Sequence, residues 1–460
     1  MDENVIGVYE SSAANELTSE FVDTIHLALD QNETAEAKNL AQSLHYADLA
    51  DLLENLAHAQ RQELVEALRS DFDPNVLAEL DDTVRERVID QLGLSQVAEV
   101  VAGLDTDDAL EVVEELEPQE QREILESLPV GERALIEEGL SYPEDSAGRL
   151  MQRDVVAVPL HWSVGQAIDY MRDTENLPTD FFDIFLVDPR HNPVGTVPLS
   201  RVMRTRREID LTQVMRKHIK IVPGTMDQEE VAFLFRQRDL ISAPVVDESN
   251  RLVGVITVDD IVDVIHEEHE EDIMRLAGVG EADDLYSAVI DTMKSRFSWL
   301  LIHLVAAIIA AYVISFFAGT IEEMVALAVL MPIVAAMGGT ASAQTLTVAV
   351  RALAMKELTM ANAYRTIGKE VAVGVLNGVI FAVLIGAVTW GWYGSPALGG
   401  VIGLSIIINL IVAGFVGSSL PILLQRLGYD PAVASSAFLT SITDVVGFYV
   451  FLGLAASLLL

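Results

Sequence analysis

The chain has 460 residues, no cysteine and a formal net charge of −41, with 51 % hydrophobic residues. The charge excludes general nucleic-acid binding, which needs basic surface, and the absence of thiols excludes disulfides, thiolate metal sites and thiol catalysis. The acid is unevenly spread: residues 298–460 hold five basic and six acidic side chains, so residues 1–297 carry a formal charge of −40. Such a surface repels itself when compact and is relieved by counter-ions.

A chain of this length allows two or three domains. Met1–Phe21 is polar and acidic, without a basic or apolar leader pattern, so no cleaved signal is expected, and residues 1–34 are expected to be weakly ordered. Residues 35–137 read as short leucine-rich amphipathic helices, for example Leu52, Leu53 and Leu56, then Leu64, Val65 and Leu68, then Ile124, Leu125 and Leu128. Breaks such as Asp71–Pro74 and Glu117–Gln119 separate units of about two dozen residues, the pattern of stacked helical hairpins in a superhelix.

An internal repeat follows. Val155–Pro159 is echoed at Lys220–Gly224; Val187 and Asp188, then Val194 and Gly195, are echoed by Val246 and Asp247, then Val253 and Gly254, with an offset of 59. Each copy predicts strand, helix, strand, turn, strand, helix, so two α/β modules pair at about 138–200 and 201–258. With Val253–Ile256 followed by Asp259, Asp260 and Ile261, this pattern resembles tandem cystathionine-β-synthase (CBS) domains. That resemblance implies a regulatory module and makes ATP a candidate ligand. No Walker-type phosphate loop occurs, so a nucleotide-hydrolysing motor is not expected.

Residues 259–297 read as an acidic connecting helix, the Gly278–Gly280 turn and an amphipathic juxtamembrane stretch, Leu285–Phe297. His266 and His269 are three apart, but without a third patterned nitrogen ligand they read as a solvated helix face.

Hydropathy predicts five membrane spans in residues 298–460, at about 298–317, 324–350, 371–393, 398–424 and 432–460. Arg351, Lys356, Arg365 and Lys369 lie between the second and third, and Arg426 between the fourth and fifth. The positive-inside rule then makes the N-terminal domains and these loops cytoplasmic, with Leu460 outside. Small residues form ridges at four-residue spacing, Gly374/Gly378/Ala382/Gly386 and Ser405/Asn409/Ala413/Gly417, which suit close helix packing in lipid.

The last span carries one charge, Asp444. Ser436, Thr440, Thr443, Asp444 and Gly447 share one helical face, a polar stripe on an otherwise apolar helix. A charge at the bilayer centre costs about 3 kcal/mol on insertion scales, so an intramembrane acid normally marks an ion path. The other reading is a carboxylate satisfied by a neighbouring helix. Oxygen ligands with a single membrane histidine, His303, favour a hard cation such as Mg²⁺, which keeps much of its water.

Met331-Pro332, Gly338–Gln344, Arg351-Ala352-Leu353, Asp430-Pro431-Ala432 and the segment around Asp444 closely resemble the MgtE family of magnesium channels. Ser141–Met151 and the order of the parts extend the resemblance over nearly the whole chain. It implies a multidomain membrane protein with a superhelical N-domain, tandem CBS domains and an all-α five-helix transmembrane domain. It also implies a homodimer in the cell inner membrane, an ion site at Asp444, and closure by intracellular Mg²⁺ bound between acidic surfaces, with residues 259–276 as a plug. The sensor ligands it implies are Asp107, Asp108 and Glu111 in the N-domain and Asp227, Glu229 and Asp239 in the CBS pair. On the plug it implies Asp260, Asp263, Glu268, Glu271 and Asp272, with Asp430 at the pore mouth. The chain departs from the family pattern at Thr340 and Ser436, where asparagine is usual, and both bear on ion selectivity.

Two other readings remain. One is a divalent-cation carrier (Co²⁺ or Mn²⁺) coupled to H⁺ or Na⁺, against which five spans do not form two equal inverted repeats. The other is a membrane-anchored nucleotide sensor, which leaves the polar stripe unexplained. No acid/base or nucleophile constellation supports an enzyme.

Overall fold

The computed structural model describes residues 17–174, 177–178, 181–280, 286, 288–434 and 436–460. Residues 1–16 of the expected weakly ordered terminus, and 281–285 and 287 at the start of the juxtamembrane stretch, lie outside the described residues. The chain forms two compact units, ending at His266 and beginning at Glu267.

The first unit opens with helices α1 (Ser19–Asp30), α2 (Thr34–Ala41), α3 (Tyr46–Asn55), α4 (His58–Leu68) and α5 (Pro74–Glu79). It continues through α6 (Asp82–Leu92), α7 (Leu94–Val101), α8 (Thr106–Glu114), α9 (Pro118–Ser127) and α10 (Val130–Gly139). Within the stretch expected to be weakly ordered, α1 is a capped amphipathic helix: Thr18 accepts from the Phe21 amide, and Ile25, Ala28 and Leu29 are buried. The apolar residues picked out by periodicity, Leu52, Leu53, Leu64, Val65, Leu68 and Ile124, lie on its buried faces.

Two buried arginines hold these helix pairs together. The Arg61 side chain donates to the carbonyls of Leu53 (2.7 Å), Glu54 (3.2 Å) and Leu56 (3.2 Å), closing the C-terminus of α3. Arg85, two dozen residues later, donates to Leu80 (2.9 Å) and Ala78 (3.2 Å) behind α5. Each supplies donors to helix-end carbonyls that have no partner within the helix. Arg85 also pairs with Glu111 (2.9 Å) and Glu115 (3.0 Å), which fastens α6 to α8. Burial pushes Glu115 up to about 8 against the pull of Arg85. Arg85→Ala is expected to destabilise this domain by about 2–4 kcal/mol, because buried carbonyls and carboxylates lose their donor. The denaturant midpoint checks this; a shift under about 0.5 kcal/mol, the scale of a surface change, contradicts it.

The repeat folds as paired modules. The first comprises α11 (Ala147–Leu150), β1 (Ala157–Pro159), α12 (Val164–Asp173), β2 (Asp183–Val187), β3 (Pro193–Pro198) and α13 (Leu199–Arg204). The second comprises α14 (Leu211–Val214), β4 (Val222–Pro223), α15 (Gln228–Arg238), β5 (Ser242–Val246), β6 (Leu252–Thr257) and the start of α16 (Val258–Ala277). Each has a three-stranded sheet with one parallel and one antiparallel pair, in the orders β1-β2-β3 and β4-β5-β6. The register slips at equivalent places, Leu186/Val187 and Val245/Val246. The two sheets meet at equivalent residues: Ser242 Oγ donates to Asp183 Oδ2 at 2.8 Å.

The second unit carries the rest of α16, the long helices α17 (Val289–Ser315), α19 (Ala326–Ala354), α20 (Ala363–Tyr393), α21 (Pro396–Leu427) and α22 (Ser436–Leu458), and the short α18 (Ala318–Glu323). The five long helices have the length and composition to cross a membrane. The first begins at Val289 rather than 298, so the described part of the expected juxtamembrane stretch continues into the span as one helix. Both predicted small-residue ridges are packing surfaces. A Cβ on Gly378 would lie 2.9 Å from the Ile407 Cα, and one on Gly417 would lie 2.8 Å from the Ser342 carbonyl. Helices α20 and α21, and α21 and α19, approach at backbone distance there.

Candidate functional site

The stripe on α22 lies against Gly339 of α19 and the amide of Asn409 on α21. A Cβ on Gly339 would lie 2.9 Å from the Thr440 methyl, and one on Gly447 would lie 2.8 Å from Asn409 Nδ2. The hydroxyl protons along α22 are taken by its own carbonyls. Thr440 Oγ1 donates to Ser436 O (2.8 Å), Thr443 Oγ1 to Thr440 O (2.9 Å), and Ser441 Oγ to Ala437 O (2.9 Å). Such back-bonding turns the oxygen lone pairs outward as acceptors, the polarity a cation needs. Thr443 is fully buried. Ser441, one turn before Asp444, also lies 3.4 Å from His303 Nδ1 on α17. Asp444 is half-buried, and its Oδ1 is enclosed with no hydrogen-bond partner among the described residues.

At the start of that helix, Asp430 Oδ1 caps a short turn by accepting from the Ala432 amide at 2.8 Å. Its Oδ2 accepts from Arg275, which also pairs with Glu271. Arg275 is the only basic residue of α16 and was missed by sequence reasoning, although its isolation in an acidic helix was a readable signal. Burial, and next the Asp430 charge, push the carboxyl of Asp272 up. Three of the expected ligands, Glu271, Asp272 and Asp430, thus lie around Arg275 just before α22, with Glu271 and Asp430 paired to that arginine. Glu268 is partly buried on the same helix, one turn before Asp272.

In the first unit, α8 and α16 bring acids together. Asp107, driven towards its protonated form by burial and then by the Asp260 charge, lies near Asp260, itself pushed up to about 6 chiefly by burial. Asp260 Oδ2 also accepts from the Thr257 amide (3.0 Å) and hydroxyl (2.9 Å). Asp108 is pushed up to about 7 by burial, then by the charges of Glu111, Asp105, Asp260 and Glu79. Burial and then Asp263 raise Glu79, and burial and then Asp259 raise Asp263. Glu111, expected beside them as a sensor ligand, is held by Arg85.

The three CBS acids do not meet. Asp227 caps the N-terminus of α15, accepting from the Glu229 amide at 3.0 Å, and Asp239 ends the same helix in the left-handed conformation (φ 51°). An 11-residue helix holds its ends about 16 Å apart, so these residues cannot share one ion within the chain. Among the described residues, no group of three or more His, Asp or Glu side chains is gathered closely enough to hold a metal ion. The aspartates of the repeat form turns: Asp188 Oδ1 accepts from Arg190 and Asn192 amides, and Asp247 Oδ1 from Ser249 and Arg251 amides, all at 2.8–2.9 Å.

A pH dependence follows from the raised carboxyls. Groups whose folded pKa lies above the unfolded value stabilise packing at low pH, and that contribution is lost as pH rises through the folded pKa. Without divalent cations, protection of the α8 amides (106–114) is therefore expected to be strong at pH 5 and to weaken through about 6–7, where Asp260 and Asp108 ionise. A divalent ion added at pH 8 restores it by neutralising the ionised carboxylates. Hydrogen exchange across this range checks the sign; protection that rises with pH in the absence of metal contradicts it.

Comparison with known proteins accords with this architecture. The family described as MgtE, divalent cation transporter, matches residues 331–454; the MgtE intracellular N domain matches 44–145; and the CBS domain matches 147–208 and 211–267. The magnesium transporter MgtE of Thermus thermophilus is 33 % identical over 329 residues, covering 71 % of this chain and 73 % of that protein. That of Bacillus subtilis is 31 % identical over 318 residues, covering 69 % and 70 %. A crystal structure of the cytosolic domain of the Mg²⁺ channel MgtE in complex with ATP is 27 % identical, covering 53 % of this chain and 99 % of that one, with a TM-score of 0.48. The chain belongs to the MgtE family of magnesium transporters.

Proposed function

We propose that the chain is a Mg²⁺ channel that admits the ion down the membrane potential and is closed by Mg²⁺ on the cytoplasmic side. The observation that carries the first part is Asp444, a carboxylate oxygen enclosed in a membrane helix without a partner among the described residues, above hydroxyl oxygens turned to accept. In a homodimer two such carboxylates repel until a divalent ion lies between them. Mg²⁺ releases its waters reluctantly, so the pair holds it largely through water. Two charges crossing about 100 mV gain roughly 4.6 kcal/mol, so entry needs no motor. Uptake into liposomes by the wild type and Asp444→Ala tests this reading.

The second part rests on the raised carboxyls. At cytoplasmic pH, Asp107, Asp108 and Asp260 on the N-domain and plug helix repel when ionised, and Mg²⁺ held among them replaces the proton that otherwise relieves the repulsion. Glu271, Asp272 and Asp430 would hold a second ion at the mouth in competition with Arg275. Shared carboxylate sites bind divalents at about 10⁻⁴–10⁻³ M, a range suited to a millimolar signal. We place the N-terminal domains in the cytoplasm, the C-terminus outside and the protein in the inner membrane.

ATP at the CBS pair is supported by the CBS family match alone, since Asp188 and Asp247 are spent on turns. Calorimetry with the full-length protein is expected to give saturable heat with millimolar ATP; its absence removes the claim.

A further inference from the structure

Asn409 lies in the middle of α21 and is 1 % exposed. A buried amide in a bundle surrounded by lipid is costly unless its donors and acceptor are used. Its Nδ2 donates to the carbonyl of Val334 on α19 at 3.0 Å. A carbonyl only accepts, so this bond fixes the amide's orientation and turns Oδ1 away from Val334. That Oδ1 is enclosed and has no donor among the described residues. The amide fits because Gly338 and Gly447 are bare: a Cβ on the first would collide with it and one on the second would come within 2.8 Å.

Gly447 follows Asp444 by three residues, a rise of about 4.5 Å along α22. Asp444 Oδ1 is likewise enclosed without a donor. The Asn409 amide, whose Nδ2 and Cγ lie against Gly447, therefore stands about one helical turn along α22 from Asp444, and of the two enclosed oxygens, both acceptors, neither can serve the other. What both lack is a molecule with two O–H groups. The waters around Mg²⁺ are such molecules, polarised by the ion and retained by it.

We propose that Asn409 is a specificity-determining residue of the ion path. Its Oδ1 accepts a hydrogen bond from a hydration water of the cation held at Asp444, while Nδ2 holds the amide in place. The proposal rests on reading Asp444 as the ion site. It implies discrimination by the hydrated ion: Mg²⁺ holds its waters at 2.0–2.1 Å and keeps them, whereas Ca²⁺ binds oxygens at 2.3–2.6 Å in looser geometry. An acceptor fixed by Val334 favours the compact, ordered shell.

The test compares Asn409→Thr with Asn409→Val in the full-length protein in liposomes, with Mg²⁺ and Ca²⁺ flux measured side by side. The two variants share a shape and differ in an acceptor oxygen, so a packing role moves both alike. The threonine variant is expected to keep the Mg²⁺ preference, while the valine variant loses about tenfold of it, the worth of one hydrogen bond. If neither assembles, Asn409→Ser against Asn409→Ala makes the same comparison. Equal Mg²⁺ to Ca²⁺ ratios in the paired variants, beside an inactive Asp444→Ala, overturn the role of Asn409 alone. An Asp444→Ala channel with wild-type flux and preference overturns both this inference and the reading of Asp444.

Discussion

Asp444→Ala is expected to lower Mg²⁺ uptake on the order of 100-fold, since the roughly 3 kcal/mol spent on one membrane charge is the scale of the stabilisation that it returns to the ion. Asp444→Asn is expected to recover little, because an amide keeps the size but not the charge that compensates for dehydration. The same alanine variant should be at least as thermostable as the wild type, since it removes an enclosed oxygen that lacks a donor among the described residues. Loss of transport without loss of stability distinguishes an ion site from a structural carboxylate. A less stable alanine variant that still transports at the wild-type rate contradicts the assignment.

Replacing Asp260, Asp263 and Glu268 by Asn, Asn and Gln is expected to have the second largest effect, on control rather than conduction. Asp260 faces Asp107 and Asp108, and Asp263 faces Glu79. Neutral side chains neither repel when metal is absent nor attract when it is present, so the closing response to cytoplasmic Mg²⁺ flattens. A two-state equilibrium moves from 1:99 to 99:1 only when the ligand prefers one state by about 10⁴-fold, or roughly 5.5 kcal/mol, which several weak sites must share. Removing three carboxylates is therefore expected to abolish most of the closure, with Asp444-dependent flux at low Mg²⁺ within about threefold of wild type. Flux against cytoplasmic Mg²⁺ gives both readings at once; an unshifted midpoint with unchanged steepness contradicts the closing mechanism.

Much of this architecture was legible because it is periodic. The offset of 59 between Asp188 and Asp247 became two sheets with the same register slip. The apolar runs became five long helices, and the face from Ser436 to Gly447 became the stripe on α22. Helix ends were less legible: α20 starts at Ala363, not 371, because Arg365, Lys369 and Glu370 are helical residues at the end of a membrane helix and carry polar heads on long stems that reach water. The expectation for residues 1–34 missed α1, whose buried face is only three residues wide.

Partners across the fold were not legible at all. Arg85 with Ala78, Glu111 and Glu115, and Asn409 between Gly338 and Gly447, are pairings that no local pattern encodes. Asn409 read as one member of a small-residue ridge, since spacing reports which face a residue occupies and not what it meets. Asp188 and Asp247 were legible as a repeat, but the turn that each closes was not encoded in their offset. The acidic helix was read as a row of ligands, yet its one arginine, Arg275, is what meets Asp430.

Excised-patch recording with cytoplasmic Mg²⁺ varied tests the central claim most directly. A channel built around Asp444 and closed by Mg²⁺ gives unitary currents at low cytoplasmic Mg²⁺ that disappear as the ion rises into the millimolar range, and none in Asp444→Ala. Macroscopic Mg²⁺ flux without unitary currents, tied to an H⁺ or Na⁺ gradient and indifferent to cytoplasmic Mg²⁺, would mean a coupled carrier and contradict the account.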